Sequence, residues 1–200
     1  MSVAFIWTTT NLPASKLIRW GLDEPVSHFA IVKPMRLPNS GIVLHQDFGG
    51  FGIDWFPAWR KKNKIVYALT PAAQMTRQDW NEDRSQILER YAGTEYDYKA
   101  IYYFGYRALL RKFFRIPLPK ENLWSDDDEP LCTGVATLLH ERHPEWFSRS
   151  PKDFDMVSPF MLYDIMLKSG MFVPWNEAKA MEGRYQASLE NSPEDQDYTF

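Results

Sequence analysis

The pattern of apolar positions divides the chain into a sheet-forming first third and a helix-rich remainder. Residues 3–8 form an apolar run that predicts a first strand. Residues 11–20 predict a short helix, with Pro13 in its first turn and Gly21 just past its end. Residues 28–33 and 41–47 are two further strands, joined by a connection of Pro, Asn, Ser and Gly that predicts a hairpin, and residues 64–69 are the next. After Pro71 the period lengthens. Thr76 with Asp79 three residues on has the spacing of a capping box, and Trp80, Ile87, Leu88 and Tyr91 share one face of a helix that Gly93 stops. Residues 98–114 are apolar around most of their circumference yet carry Arg107, Arg111 and Lys112, which predicts a central helix packed on two sides with a basic edge. The acidic run at 125–129, closed by Pro130, reads as a loop feeding a helix at 131–140, and a last helix at 158–168 ends at Gly170.

This succession predicts an α+β fold, a small antiparallel sheet packed against helices, in one domain over residues 1–175. Residues 176–200 form a tail whose polar end is flexible or partner-binding. The 200 residues contain no repeat and no second core, and the aromatic share of 16 % promises a well-filled interior. A formal charge of −3 gives no general reason to expect nucleic acid, which needs a basic face. No apolar stretch reaches the roughly 18 residues that span a bilayer, and Met1 to Phe5 lack the basic start of a secretory signal. The expectation is a protein made and folded in the cytoplasm, or carried into a virion if phage-encoded.

One cysteine, Cys132, excludes an intramolecular disulfide and any multi-thiolate zinc site. It is an inert core residue, a redox sensor or a nucleophile. Its position in the first turn of a helix favours the thiolate through unpaired N–H groups and the dipole, whereas Asp126, Asp127, Asp128 and Glu129 oppose a second anion. A cationic partner is therefore needed. His28, at the start of a short apolar strand, is the best base; if the two strands pair, His45 lies beside it to orient it.

Residues 27–32, around His28, resemble the histidine strand of the papain-like cysteine hydrolases of the NlpC type, in their circularly permuted branch. Residues 43–46, around His45, resemble the strand of the third polar residue. Residues 93–98 and Cys132-Thr133-Gly134 follow in the branch's order, and residues 15–19 resemble a helix of its YiiX-like members. The resemblance covers roughly residues 3–140 and extends to lecithin:retinol acyltransferase-like proteins, which carry histidine at the third position. It implies that Cys132 is the nucleophile, His28 the base and His45 the orienting residue. It also implies that Tyr96, with the Cys132 N–H, holds the oxyanion. The plainer alternatives are core packing for Tyr96 and Tyr98, a half-buried strand residue for His28 and a surface strand residue for His45.

Other signals are weaker. His140 and His143 are three apart beside Pro144, which does not fit the zincin spacing, so that segment reads as a solvated helix end. The acidic run lacks the alternating ligands of a calcium loop. Gly49, Gly50 and Gly52 form no phosphate-binding fingerprint. Arg60, Lys61, Lys62 and Lys64, after Trp55 and Trp59, suit an anionic lipid or polymer surface, but also an exposed loop with tryptophans tucked under it; the same choice applies to Arg107, Arg111, Lys112 and Arg115 around Phe113 and Phe114. No cofactor and no metal are expected. The resulting expectation is a thiol hydrolase of amide bonds, with cell-wall peptides the substrate class implied by the resemblance. The alternatives are a lipid acyl hydrolase or acyltransferase with the same triad, and a non-enzymatic module of a larger assembly such as a phage particle.

Overall fold

The computed structural model describes residues 3–35, 40–47, 49–114, 131–150 and 157–175. The acidic run, the Trp124 segment, Arg115 and the tail 176–200 lie outside them. The strands are β1 (Ala4–Thr9), β2 (His28–Pro34), β3 (Gly41–Asp47), β4 (Gly50–Trp55), β5 (Lys64–Pro71) and β6 (Phe172–Pro174). All neighbours pair antiparallel, in the order β4-β3-β2-β1-β5-β6. The helices are α1 (Pro13–Leu22), α2 (Phe56–Arg60), α3 (Arg77–Tyr91), α4 (Tyr98–Leu109), α5 (Val135–Arg142) and α6 (Pro159–Lys168). The α+β class, with an antiparallel sheet against helices, is as expected. No described helix is long and apolar enough to cross a membrane.

Both faces of the sheet are covered, which explains why its inner strands are continuously apolar rather than alternating. On one face Phe5, Trp7, Phe29, Ile31, Leu44 and Leu69 share a core with residues of α3, α5 and α6, among them Trp80, Ile87, Leu139 and Leu162. On the other, Ala4, Ile6, Ala30, Val32 and Val43 lie with Phe56 and Trp59 of α2. Successive side chains alternate between these two cores, as the strand period of two requires.

Three expectations need correction. Residues 98–114 are not a central helix: α4 and the π-helical turn Leu110–Phe114 that continues it lie at the rim, with Tyr102, Tyr106, Leu109, Phe113 and Phe114 exposed. An apolar circumference suggests burial, but tyrosine keeps its hydroxyl in water while covering apolar surface. The segment His140 to His143 is not simply solvated either. Asp83 of α3, 1 % exposed, takes Arg142 Nε and, at 3.0 Å, His143 Nε2, while His143 stacks on Trp146 at 3.9 Å, so charges clamp α3 to the end of α5. Finally, α1 runs to Leu22 with Gly21 inside it and ends at Asp23, whose φ of 60° is left-handed. The capping box at Thr76 and Asp79 is present as the spacing implies.

Candidate active site

Strand β2 begins at His28, where Ser27 donates its N–H to Thr8 O at 3.0 Å. The register pairs Thr8 with His28, Ala30 with His45 and Val32 with Val43. His28 and His45 therefore point to the same face, diagonal to each other. Their rings meet edge-on at 5.7 Å, and Trp59 of α2 lies against both, at 6.2 Å from His28 and 5.8 Å from His45. His45 is buried, not a surface residue: its Nε2 is 3.1 Å from Asp54 Oδ2 on β4, and its Nδ1 is 3.5 Å from Asp47 Oδ2. The Asp54 carboxylate thus holds one edge of the ring, while Nδ1 makes no hydrogen bond among the described residues. His28 Nε2 is buried with no hydrogen-bond partner among the described residues. Burial first, and repulsion from His45 second, push its pKa down from 6.5 to about 3, so the imidazole is neutral.

Cys132 comes to β2 from the other side. It sits not in the first turn of a helix but in the tight turn before α5, closed by Gly134 N–H to Leu131 O at 2.8 Å, and it belongs to the core that holds Phe29. Burial raises its thiol from 9.0 to about 11, against hydrogen bonds from the N–H groups of Phe29, Cys132 and Thr133 and from Tyr96, which lower it. Tyr96 is buried, and that burial, before the nearby Cys132, holds its hydroxyl well above the usual 10.0, a neutral donor.

A strap holds Tyr96 in place. Gln46 Nε2 donates to Glu95 O at 2.8 Å and Phe51 N–H to Thr94 O at 3.2 Å, which ties residues 94–96 to the β3–β4 hairpin. Gly50 permits this contact: its φ is +93°, and a Cβ there would come within 2.6 Å of Thr94 O. Gly50→Ala is therefore expected to lower unfolding stability by about 2 kcal/mol or more. Gly93→Ala, at φ +83° with open space around it, should lose about 1 kcal/mol from strain alone. Urea unfolding of the two variants measures the difference, and equal losses would mean that the Gly50–Thr94 contact contributes nothing.

The histidine and the cysteine open into separate cavities. A cleft of about 670 Å³ is lined by Ser15, Ser27, His28, Lys61, Lys62 and Tyr96 among others. A pocket of about 20 Å³ beside Cys132 is lined by Ile18, Leu22, Tyr96, Leu131 and Val157, with Ser27. Ile18, Ser27 and Tyr96 line both and form the wall between them. The structure thus brings His28 to His45 and Tyr96 to Cys132. Cys132 and His28 have no hydrogen bond to each other among the described residues. Sequence reading tucked Trp59 under a loop without placing it at the histidines, and it missed Asp54 and the Ser15 Oγ to Ser27 Oγ contact of 2.6 Å. Asp54 was findable, because a strand at 50–55 paired with residues 42–47 places it diagonal to His45. No group of three or more His, Cys, Asp and Glu among the described residues is arranged to hold a metal.

Comparison with family models, with curated proteins and with solved structures gave no match. Fold and site together define an α+β protein in which one strand, β2, is met by a histidine pair on one face and a buried cysteine on the other.

Proposed function

We propose that this protein is a thiol hydrolase of the permuted papain-like, NlpC type. The supporting observation is that Cys132 lies in the core that holds Phe29, the residue next to His28 on β2, whose N–H is among the groups that favour the thiolate. Nucleophile and base therefore meet β2 at neighbouring positions, on opposite faces of the strand. Both are neutral at rest, and the Ile18, Ser27 and Tyr96 wall must part for them to meet. Substrate entering the cleft supplies that displacement. The Cys132 sulfur then attacks the carbonyl carbon as its proton passes to His28, and the Tyr96 hydroxyl with the Cys132 N–H receives the oxyanion. Collapse expels the amine with the proton from His28, leaving an acyl-enzyme. Water, deprotonated by His28, hydrolyses it and restores the thiol. His45, held by Asp54, and Trp59 flank the His28 ring and orient it.

Peptide amides, of the cell-wall type by resemblance, are the leading substrate class. The apolar lining of the Cys132 pocket favours a second one, a lipid ester or thioester, whose acyl chain would widen it. Incubation with a peptide anilide, a p-nitrophenyl ester and an acyl thioester, followed by mass spectrometry, tests the proposal. One acyl group on Cys132, absent from Cys132→Ala, is the expected result, and the donor that labels fastest identifies the bond class. A folded protein that no donor labels, and whose thiol iodoacetamide does not reach, would instead be a non-enzymatic module with its cysteine in the core.

A further inference from the structure

Helix α1 packs beside α4, and the surface they share has a composition unlike the rest of the chain. Segments 13–22 and 98–114 contain not one aspartate or glutamate, in a protein of net charge −3, and expose Lys16, Lys99 and Lys112. The same segments expose large apolar side chains. Tyr98, Tyr102, Tyr106, Leu109 and Phe113 fall within about a quarter of the helical circumference, a single stripe along one side. Tyr102 is 69 % and Phe113 68 % exposed. On α1, Leu17 and Trp20 are also exposed, and Lys112 closes the seam with its Nζ 4.5 Å over the Trp20 ring.

We infer that this face docks on an anionic lipid surface. Aromatic rings with polar tips, beside leucines and a margin of the exposed Lys16, Lys99 and Lys112, suit the boundary between headgroups and acyl chains. A second copy of the chain fits less well, because a two-fold contact would press this cationic face against itself. Nucleic acid fits less well too: its bases could stack on Tyr102 and Phe113, but Leu17 and Leu109 between them would stay in water, whereas a bilayer buries both kinds of side chain. The position adds a use. Leu12 and Ile18, at the start and on the inner side of α1, line the large cleft, so docking sets the cleft beside the bilayer. This inference does not depend on the reaction proposed for Cys132.

Flotation of the full chain with vesicles tests it, comparing phosphatidylcholine alone with phosphatidylcholine containing about one third phosphatidylserine. The protein is expected to float with the anionic vesicles, to release as salt rises, and to show a blue shift of tryptophan emission. Tyr102→Ser with Phe113→Ser should weaken binding about tenfold or more. Lys16→Glu with Lys112→Glu should do the same through charge alone, and Cys132→Ala should change nothing. Circular dichroism establishes that each variant is folded. Equal binding to neutral vesicles, or binding unchanged in both folded double variants, overturns the inference. So does an absence of vesicle binding, whether the protein is monomeric or forms a dimer that the serine variants dissociate.

Discussion

Replacing His28, the proposed base, by alanine is expected to lower kcat/KM about a thousandfold for any donor found to acylate Cys132, with KM nearly unchanged. A base acts on the proton in flight and not on the bound substrate, so its loss falls on kcat. The pH profile is the more discriminating readout. The imidazole is held at about 3 and the thiol at about 11, so the resting pair is neutral across the intervening range. The rate should therefore show no acid limb at the ordinary histidine value of 6.5, and should fall only as pH drops through about 3. Stability has its own dependence: below 6.5 the unfolded chain takes up a proton that native His28 refuses, so the fold weakens as pH falls from 6.5 toward 3. A rate limb near 6.5 would mean that the reacting imidazole is not in this buried setting. Unchanged turnover in His28→Ala would remove it from the mechanism.

Trp59→Ala is expected to cost about 3 kcal/mol of unfolding stability, because the indole is 4 % exposed and fills the core between α2 and the sheet. Trp59→Phe should recover most of that stability while leaving both histidine rings short of one wall. If Trp59 positions the imidazoles, the phenylalanine variant folds normally, keeps its KM and loses about tenfold in kcat. A variant whose kcat follows its stability alone would reduce Trp59 to a core residue.

Much of this architecture is legible without coordinates. The hairpin of residues 28–47 follows from two apolar runs around a turn-forming connection, and the parity of positions 28 and 45 puts both histidines on one face once Ala30 pairs with His45. The capping box at Thr76 is equally local. What escapes the sequence is non-local or short. Strand β4 starts in glycines, which have little strand propensity, and exists because β3 pairs with it. Helix α2 has five residues, too few for a period, so Trp59 reads as loop. Cys132 is conspicuous as the lone cysteine, but the face of the sheet it meets depends on where a helix about a hundred residues from β2 comes to rest. The ion pairs of Asp83 are hidden for the same reason, since nothing local links α3 to Arg142.

The central place of β1 bears on how quickly the molecule can assemble. Phe5 is paired with Ile31 on one side and with Leu69 on the other. The first pairing closes a short loop and the second one of roughly sixty residues, at a higher entropic cost before any contact repays it. Strands β1 to β3 can form an early meander that already sets His28 near His45, but its inner edge stays open until β5 arrives. Refolding should accordingly belong to the slower, millisecond-to-second regime of non-local β topologies, limited by the β1–β5 closure. During that interval the open edge of β1, apolar from Ala4 to Trp7, is the segment most prone to pair with another chain.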